Sequence, residues 1–276
     1  MKKILFPTDF SENAAKAMQY ALFLAKELSA DLILINTYQI PSGGNTSIKS
    51  MHLSEILKSD SEEGLKKVLL DIRKQKDFDS INIETVAKQG DLVQLVNEMS
   101  GDFKFDLIVM GTKGATGAKE VLIGSNAAAV VKGAVSPVLV IPEKASYKKP
   151  VKFTFAYDLK PIIETQGFDL FKKLVQKLDA EINILNVGLN ELPASTEEAV
   201  AGIKLNHLLE GIKHNFYFVK NENVSDGIES FIKEKGTDCL VMIARKHSFL
   251  EKFFHKSVTK KMAYHVDVPL LVLKDK

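Results

Sequence analysis

Short apolar runs and longer amphipathic stretches take turns along the chain. Residues 2–7, KKILFP, form an apolar run that stops at Pro7 and Asp9, and the pattern predicts a strand. Ser11 then stands where a helix cap would, with a side-chain oxygen able to accept from the amides of a first turn. From there to Ser29 the apolar residues Ala14, Ala17, Met18, Ala21, Leu22, Leu24, Ala25 and Leu28 recur at helical spacing. DLILINTY (31–38) predicts a buried strand, PSGGNTS (41–47) a loop, about 50–76 a long helix, and SINIETVAK (80–88) an alternating strand. Gly90-Asp91 opens a helix to about Ser100, FDLIVMG is a strand, residues 125–133 are a helix and SPVLVIP (136–142) a last strand. Such strict β-α alternation calls for a parallel sheet with helices on both faces, an α/β fold.

After a charged linker, EKASYKKP (143–150), the pattern restarts. VKFTFAYD (151–158) matches KKILFPTD, with Asp158 answering Asp9, and AEINILN (180–186) matches ADLILIN (30–36) at a shift of 150 residues. DCLVM (238–242) matches DLIVM (106–110) at a shift of 132, which Pro137 and Pro269 keep. The second half has therefore lost about 18 residues between its second and fourth strands. A period this long is that of a whole domain and not of a solenoid. Two domains are expected, 1–143 and 150–276, each a doubly wound five-stranded parallel sheet.

Composition narrows the function little. The chain has 276 residues, 45% hydrophobic and 26% charged, and 37 basic against 35 acidic side chains leave a formal net charge of +2. That balance gives no global pull toward nucleic acid or an anionic membrane. The single cysteine, Cys239, excludes an intrachain disulfide and lies in an apolar run, where it reads as a small buried hydrophobe. The opening MKKILFPTD is too short in apolar residues for a signal peptide, and no run approaches a membrane span, so a cytoplasmic location is expected.

The chemistry concentrates in VMGTKGATGAKEVLIGSN (109–126). Gly111 ends a predicted strand, Gly114 stands in the following loop, and Gly124-Ser125 opens a helix. In an open parallel sheet ligands bind beyond the carboxyl ends of the strands, where the strand order reverses. Asp9, Thr37 and Gly111 all follow such strands. A glycine there leaves bare backbone for a ligand and adopts φ > 0 at no steric cost. The helix start at Gly124-Ser125 favours an anion through its amides and its dipole, and Ser125 adds a hydroxyl. Asp9, an acceptor without a proton to donate, suits ribose hydroxyls. Together these residues read as a nucleotide cradle, although each alone is as well explained by a turn or a cap.

GTKGATGAKEVLIGSNAAAVVKGAVSPVLVIP resembles the C-terminal signature of universal stress protein domains, and ILFPTDFSENAAKAMQYALFLAK resembles the opening of that family. Nucleotide-binding members carry Gly, two residues, Gly, nine residues, Gly and then Ser or Thr, a pattern met at Gly111, Gly114, Gly124 and Ser125. The resemblance covers both halves and implies a tandem, Rossmann-like protein of the adenine nucleotide alpha-hydrolase-like fold. It implies ATP or another adenine nucleotide such as AMP or ADP, with a divalent ion such as Mg, bound in the first domain. On that resemblance Asp9 meets the ribose and adenine end, Thr37 borders adenine, and Gly114, Gly124 and Ser125 hold the phosphates. Met110 and Asn126 are minor contacts.

The second half departs from the signature: Ile243, Lys246 and Lys256 stand where the glycines would, and only Ser257 repeats Ser125. A β-branched residue is a poor substitute where backbone must approach a ligand. The second domain is expected to replace the partner subunit of a two-domain dimer, with PVLVI and PLLVL covering each other's edges. Assembly into a homodimer of chains stays open. Lys113 and Lys119 flank the glycine loop as solvated charges or phosphate contacts. The six histidines lack metal-ligand spacing, although His207 and His214 would share a face if one helix carried both. Three functions remain open: a nucleotide-binding stress-response regulator, a slow ATPase or nucleotidyl-transfer enzyme, and a scaffold that binds no nucleotide.

Overall fold

Ser11 begins the first helix as its sequence predicts. With φ −71° and ψ 161° it is extended, and its Oγ accepts from the amide of Ala14 at 3.2 Å. The computed structural model describes residues 2–40, 47–103, 105–112, 124–162, 166–190, 193, 195–244 and 267–274. Helix α1 (Glu12–Leu28) follows strand β1 (Lys2–Pro7) and buries the stripe from Ala14 to Leu28 that the spacing marks out. It ends where Ser29 turns left-handed at φ 50°. Then come β2 (Ala30–Tyr38), α2 (Ser47–Arg73), β3 (Ile83–Gln89), α3 (Leu92–Phe103), β4 (Leu107–Gly111), α4 (Ser125–Gly133) and β5 (Val138–Ile141).

The chain forms two compact units, Met1–Val138 and Leu139–Lys276. In the first, the strands run parallel in the order β3-β2-β1-β4. Pro137 O accepts from Ile108 N at 2.9 Å and so brings the start of β5 beside β4. Helix α1 lies on β1, β2 and β4, α2 lies on β2 and β3, and α3 packs beside α4. The core is the set of strand residues that the apolar runs predict, among them Leu5, Phe6, Leu32, Leu34, Ile35, Ile108 and Val109.

One boundary shifts for a local reason, and another stands where the sequence puts it. The strand expected from residue 80 begins at Ile83, because Lys76–Phe78 form a 3-10 turn and the Arg73 guanidinium donates to Ile81 O at 3.2 Å. Asp91 caps α3, its Oδ1 accepting from the amides of Val93 and Gln94 at 2.9 and 3.0 Å.

The second unit repeats the plan: β6 (Lys152–Ala156), α5 (Gln166–Leu178), β7 (Glu181–Gly188), α6 (Thr196–Leu208), β8 (His214–Lys220), α7 (Val224–Lys235), β9 (Cys239–Ala244) and β10 (Leu270–Lys274). These strands are parallel in the order β10-β9-β6-β7-β8. Both units are therefore doubly wound and Rossmann-like. The repeat extends to single hydrogen bonds. Asp106 accepts from the Lys3 amide at 2.8 Å, and Asp238 from the Lys152 amide at 2.9 Å. Asn36 donates to Thr8 O at 2.7 Å, and Asn186 to Tyr157 O at 2.9 Å. The left-handed non-glycine residues among those described are Phe10, Ser29, Leu159 and Asp179, which are two equivalent pairs. The deletion in the second half falls largely on one helix: α2 has 27 residues and α6 has 13.

The segment ahead of β6 is anchored. Lys148 Nζ lies 2.7 Å from Asp238 Oδ1, while Asp238 Oδ2 also accepts from the Val151 amide at 2.9 Å. Cys239 is buried at the start of β9, and burial pushes its thiol pKa up to about 12, so it is packing and not a nucleophile.

Candidate functional site

In the first unit the chain builds β1, β2 and β3 outward in one direction and then crosses to β4 on the other side of β1. The strand order therefore reverses between β1 and β4, and the crevice beyond their carboxyl ends is where such a sheet takes a ligand. The register sets the lining. Pro7 pairs with Ile35 and Ile4 with Leu107, so Asp9, Thr37 and Gly111 all lie at the carboxyl edge of three adjacent strands. Asp9 is exposed and Thr37 half-buried.

The turn that carries Asp9 is tightly specified. The Thr8 amide donates to Ile35 O at 2.9 Å, the Phe10 amide to Thr8 Oγ1 at 3.1 Å and the Ser11 amide to Asp9 Oδ1 at 3.1 Å. Phe10 sits at φ 63°, a region that costs a non-glycine residue free energy and persists only where surroundings hold it.

The fourth strand meets this turn through α1. A Cβ on Gly111 would lie 2.8 Å from Asn13 Nδ2 and 3.3 Å from Asn13 O, so the strand end presses on the first turn of the helix. The reason for a glycine here differs from the expected one. Its φ is not left-handed; the residue is needed for room, and the neighbour is the protein's own Asn13. Gly124 likewise has φ −63° and no left-handed geometry.

Gly124 closes the arrangement. Its amide donates to Thr112 O, which draws the N-terminus of α4 to the end of β4. That amide is thereby engaged, and the groups left at the helix start are the amides of Ser125 and Asn126 and the Ser125 hydroxyl. The first-turn amides of a helix have no intrahelical acceptor, the cap of α4 carries no side-chain hydrogen bond, and Ser125 and Asn126 are exposed. Such a helix start fits a phosphate. Met110 is buried in the sheet at 5% exposure and belongs to the core. Gly114, Lys113 and Lys119 lie outside the described residues.

Asp9, Thr37, Gly111, Gly124, Ser125 and Asn126 are thus brought to one edge by strand register and by the Thr112–Gly124 bond. Sequence reasoning missed Asn13, Asn36 and Ser61. Asn13 is a buried polar side chain on the inward stripe of α1. Ser61, buried on α2, donates to Asn36 Oδ1 at 2.7 Å. One signal was present: Asn36 and Asn186 repeat at the same shift as the strands that carry them.

The equivalent edge of the second unit is built differently. Asp158 is retained, but Val187 stands in place of Thr37, and Ile243 in place of Gly111. A Cβ on Gly227 of α7 would lie 2.5 Å from Val187 Cγ1, so the helix rests directly on that valine. Tyr157 replaces Thr8; its buried ring stacks on Phe155, with centroids 5.7 Å apart, and its hydroxyl donates to Lys160 O at 2.8 Å. Lys246, Lys256 and Ser257 lie outside the described residues.

His207 and His214 fall on different elements. α6 ends at Leu208 and His214 opens β8, so His207 and His214 do not share a helix face. The His214 ring is hydrogen-bonded to Ile212 O at 2.7 Å and to Asn206 Oδ1 at 3.0 Å, a structural arrangement. Among the described residues no group of three or more His, Cys, Asp or Glu side chains is placed to hold a metal ion, and no helix is long and apolar enough to cross a membrane.

Comparison with known proteins agrees with this architecture. The model of the universal stress protein family matches residues 1–142 and 172–274. Universal stress protein MJ0531 of Methanocaldococcus jannaschii is 38% identical over 153 residues, which cover 55% of this chain and 84% of that protein. Universal stress protein Slr1230 of Synechocystis is 25% identical over 312 aligned positions, covering 99% of this chain and all of that protein. Among solved structures, a universal stress protein from Archaeoglobus fulgidus matches 99% of this chain and 96% of its own length. Its TM-score of 0.70 at 19% identity is a likeness of fold.

Proposed function

We infer that this chain, which belongs to the universal stress protein family, is a regulatory protein that binds ATP or a related adenine nucleotide in its first unit. The observation that carries the reading is the meeting of Asp9, Gly111 and the α4 start at the β1/β4 reversal. Asp9 accepts hydrogen bonds from the ribose hydroxyls. Thr37, two strands from β4, borders the base. The amides of Ser125 and Asn126 and the Ser125 hydroxyl hold the phosphates, helped by the helix dipole. Gly114 and the loop around it supply further backbone. A divalent ion such as Mg, carried in with the nucleotide, offsets phosphate charge.

The second domain, 150–276, is proposed as a built-in partner of the first, not as a second nucleotide site. Val187 and Ile243 support this, because Val187 lacks the hydroxyl of Thr37 and Ile243 puts a β-branched side chain where the first unit has Gly111. A cytoplasmic place of action goes with the reading, and a protein partner that distinguishes the bound form is its output.

The test is equilibrium dialysis of nucleotide-stripped protein against labelled Mg-ATP, with phosphate release followed in parallel. Saturable binding that Gly114→Val abolishes, with phosphate release slower than about 1 s⁻¹, is the expected result. Absence of binding overturns the reading in favour of a scaffold, and faster turnover overturns it in favour of an enzyme.

A further inference from the structure

Helix α2 touches the Asp9 turn at two points one helical turn apart. At the first, Ser61, with 3% of its surface exposed, donates to Asn36 Oδ1 at 2.7 Å. Asn36 Nδ2 in turn donates to Thr8 O at 2.7 Å, the carbonyl just before Asp9. At the second, the Phe10 ring rests on Gly64: a Cβ there would lie 2.5 Å from Phe10 Cζ. Phe10 is the left-handed residue of the turn, and 42% of its surface is exposed. Its amide bond to Thr8 Oγ1 fixes the backbone of the turn, and the contact with α2 holds its half-exposed ring.

Residue choice on α2 agrees. A glycine inside a helix costs about 1 kcal/mol against alanine, and a serine at a buried helical position costs unless its hydroxyl is paired. Both residues are poor for the helix and good for the turn. The second unit keeps the turn but changes the helix residues. Leu159 repeats the left-handed φ at 54° and Asn186 repeats the bond to the turn, at 2.9 Å to Tyr157 O. On α6, however, the buried pair four residues apart is Ala201 and Leu205, where α2 has Ser61 and Leu65.

We propose that Ser61 and Gly64 of α2, acting through Asn36 and Phe10, are positioning residues that hold Asp9 in its nucleotide-binding geometry and couple α2 to the occupancy of the site. The proposal rests on the nucleotide reading above for its ligand, but the grip itself is a property of the protein alone.

Gly64→Ala separates positioning from stability. Alanine favours the helix, so α2 gains propensity, while the new methyl displaces the Phe10 ring. Two measurements are made on the full chain, wild type and variant. Amide hydrogen exchange without nucleotide is expected to speed up at Phe10 and Ser11 in Gly64→Ala, with no fall in melting temperature. Mg-ATP affinity is expected to fall about tenfold, because the binding-competent turn is less populated. Phe10→Gly in the same background, which removes the ring and accepts φ > 0 without strain, is expected to restore much of the affinity. Ser61→Ala is expected to weaken binding and Ser61→Thr to retain it.

Unchanged exchange at Phe10 and Ser11 overturns the grip. Faster exchange with unchanged affinity overturns the coupling to the site. Should wild-type protein bind no ATP, the nucleotide reading fails, and the exchange measurement still decides whether α2 holds the turn.

Discussion

Gly111 and Asn13, nearly a hundred residues apart in sequence, are in contact: a Cβ added to Gly111 would come within 2.8 Å of Asn13 Nδ2 and 3.1 Å of its Cγ. This contact joins the end of β4 to the first turn of α1, the two walls of the crevice. Gly111→Ala is expected to destabilise the first unit by about 1–3 kcal/mol, the usual cost of overpacking, and to weaken Mg-ATP binding. Adding Asn13→Ala should recover part of the lost stability, because the side-chain clash goes while the approach to Asn13 O at 3.3 Å remains. A double-mutant cycle by urea unfolding checks this. Additive effects would show that the two residues are not coupled.

The second unit has its own close approach, between Gly227 and Val187. Gly227→Ala should lower stability by a similar amount, while Mg-ATP affinity stays at the wild-type value. Denaturant unfolding and a binding titration on the same sample check both halves of the statement. A loss of affinity would mean that the second unit takes part in nucleotide binding.

Lys274 ends β10, paired in register with Ala244. Burial brings its pKa down from the ordinary 10.5 to about 8. Below about pH 8 both folded and unfolded chains carry the proton, and folding bears the full cost of burying the charge. Between about 8 and 10.5 the unfolded chain holds a proton that the folded chain lacks, so stability rises with pH across that window. Lys274→Met should therefore be more stable than wild type at pH 7, by at most about 3 kcal/mol. The gap should shrink as the pH rises through the window, and unfolding curves at pH 7, 8.5 and 10 would show it. A gap that does not change with pH would contradict the assignment.

Much of the fold was legible because it is written in local signals. Ser11 caps α1, Asp91 caps α3 and apolar runs mark the strands, and each acts within a few residues of itself. The tandem plan was legible because identical features recur at fixed shifts, down to Asp106 with Asp238 and Asn36 with Asn186. The sheet edge that gathers Asp9, Thr37 and Gly111 was legible in its members more than in its reasons. A sequence shows that Gly111 is a glycine, but not whether the backbone needs φ > 0 or merely space, and here it needs space beside Asn13. Ser61 and Gly64 were invisible because their meaning lies in contacts with Asn36 and Phe10, which only the folded sheet creates. Whether one helix carries both His207 and His214 was open in the sequence, because it turns on the length of α6: the deletion shortened that helix, and the chain turns into β8 before the second histidine.

One working nucleotide site per chain, in the first unit, follows from the proposed function. The direct measurement is a calorimetric titration of nucleotide-stripped protein with Mg-ATP, repeated on Asp9→Ala and Asp158→Ala. One site per chain is expected, with affinity lost in Asp9→Ala and unchanged in Asp158→Ala. Two sites per chain, or a site that Asp158→Ala removes and Asp9→Ala spares, would contradict it.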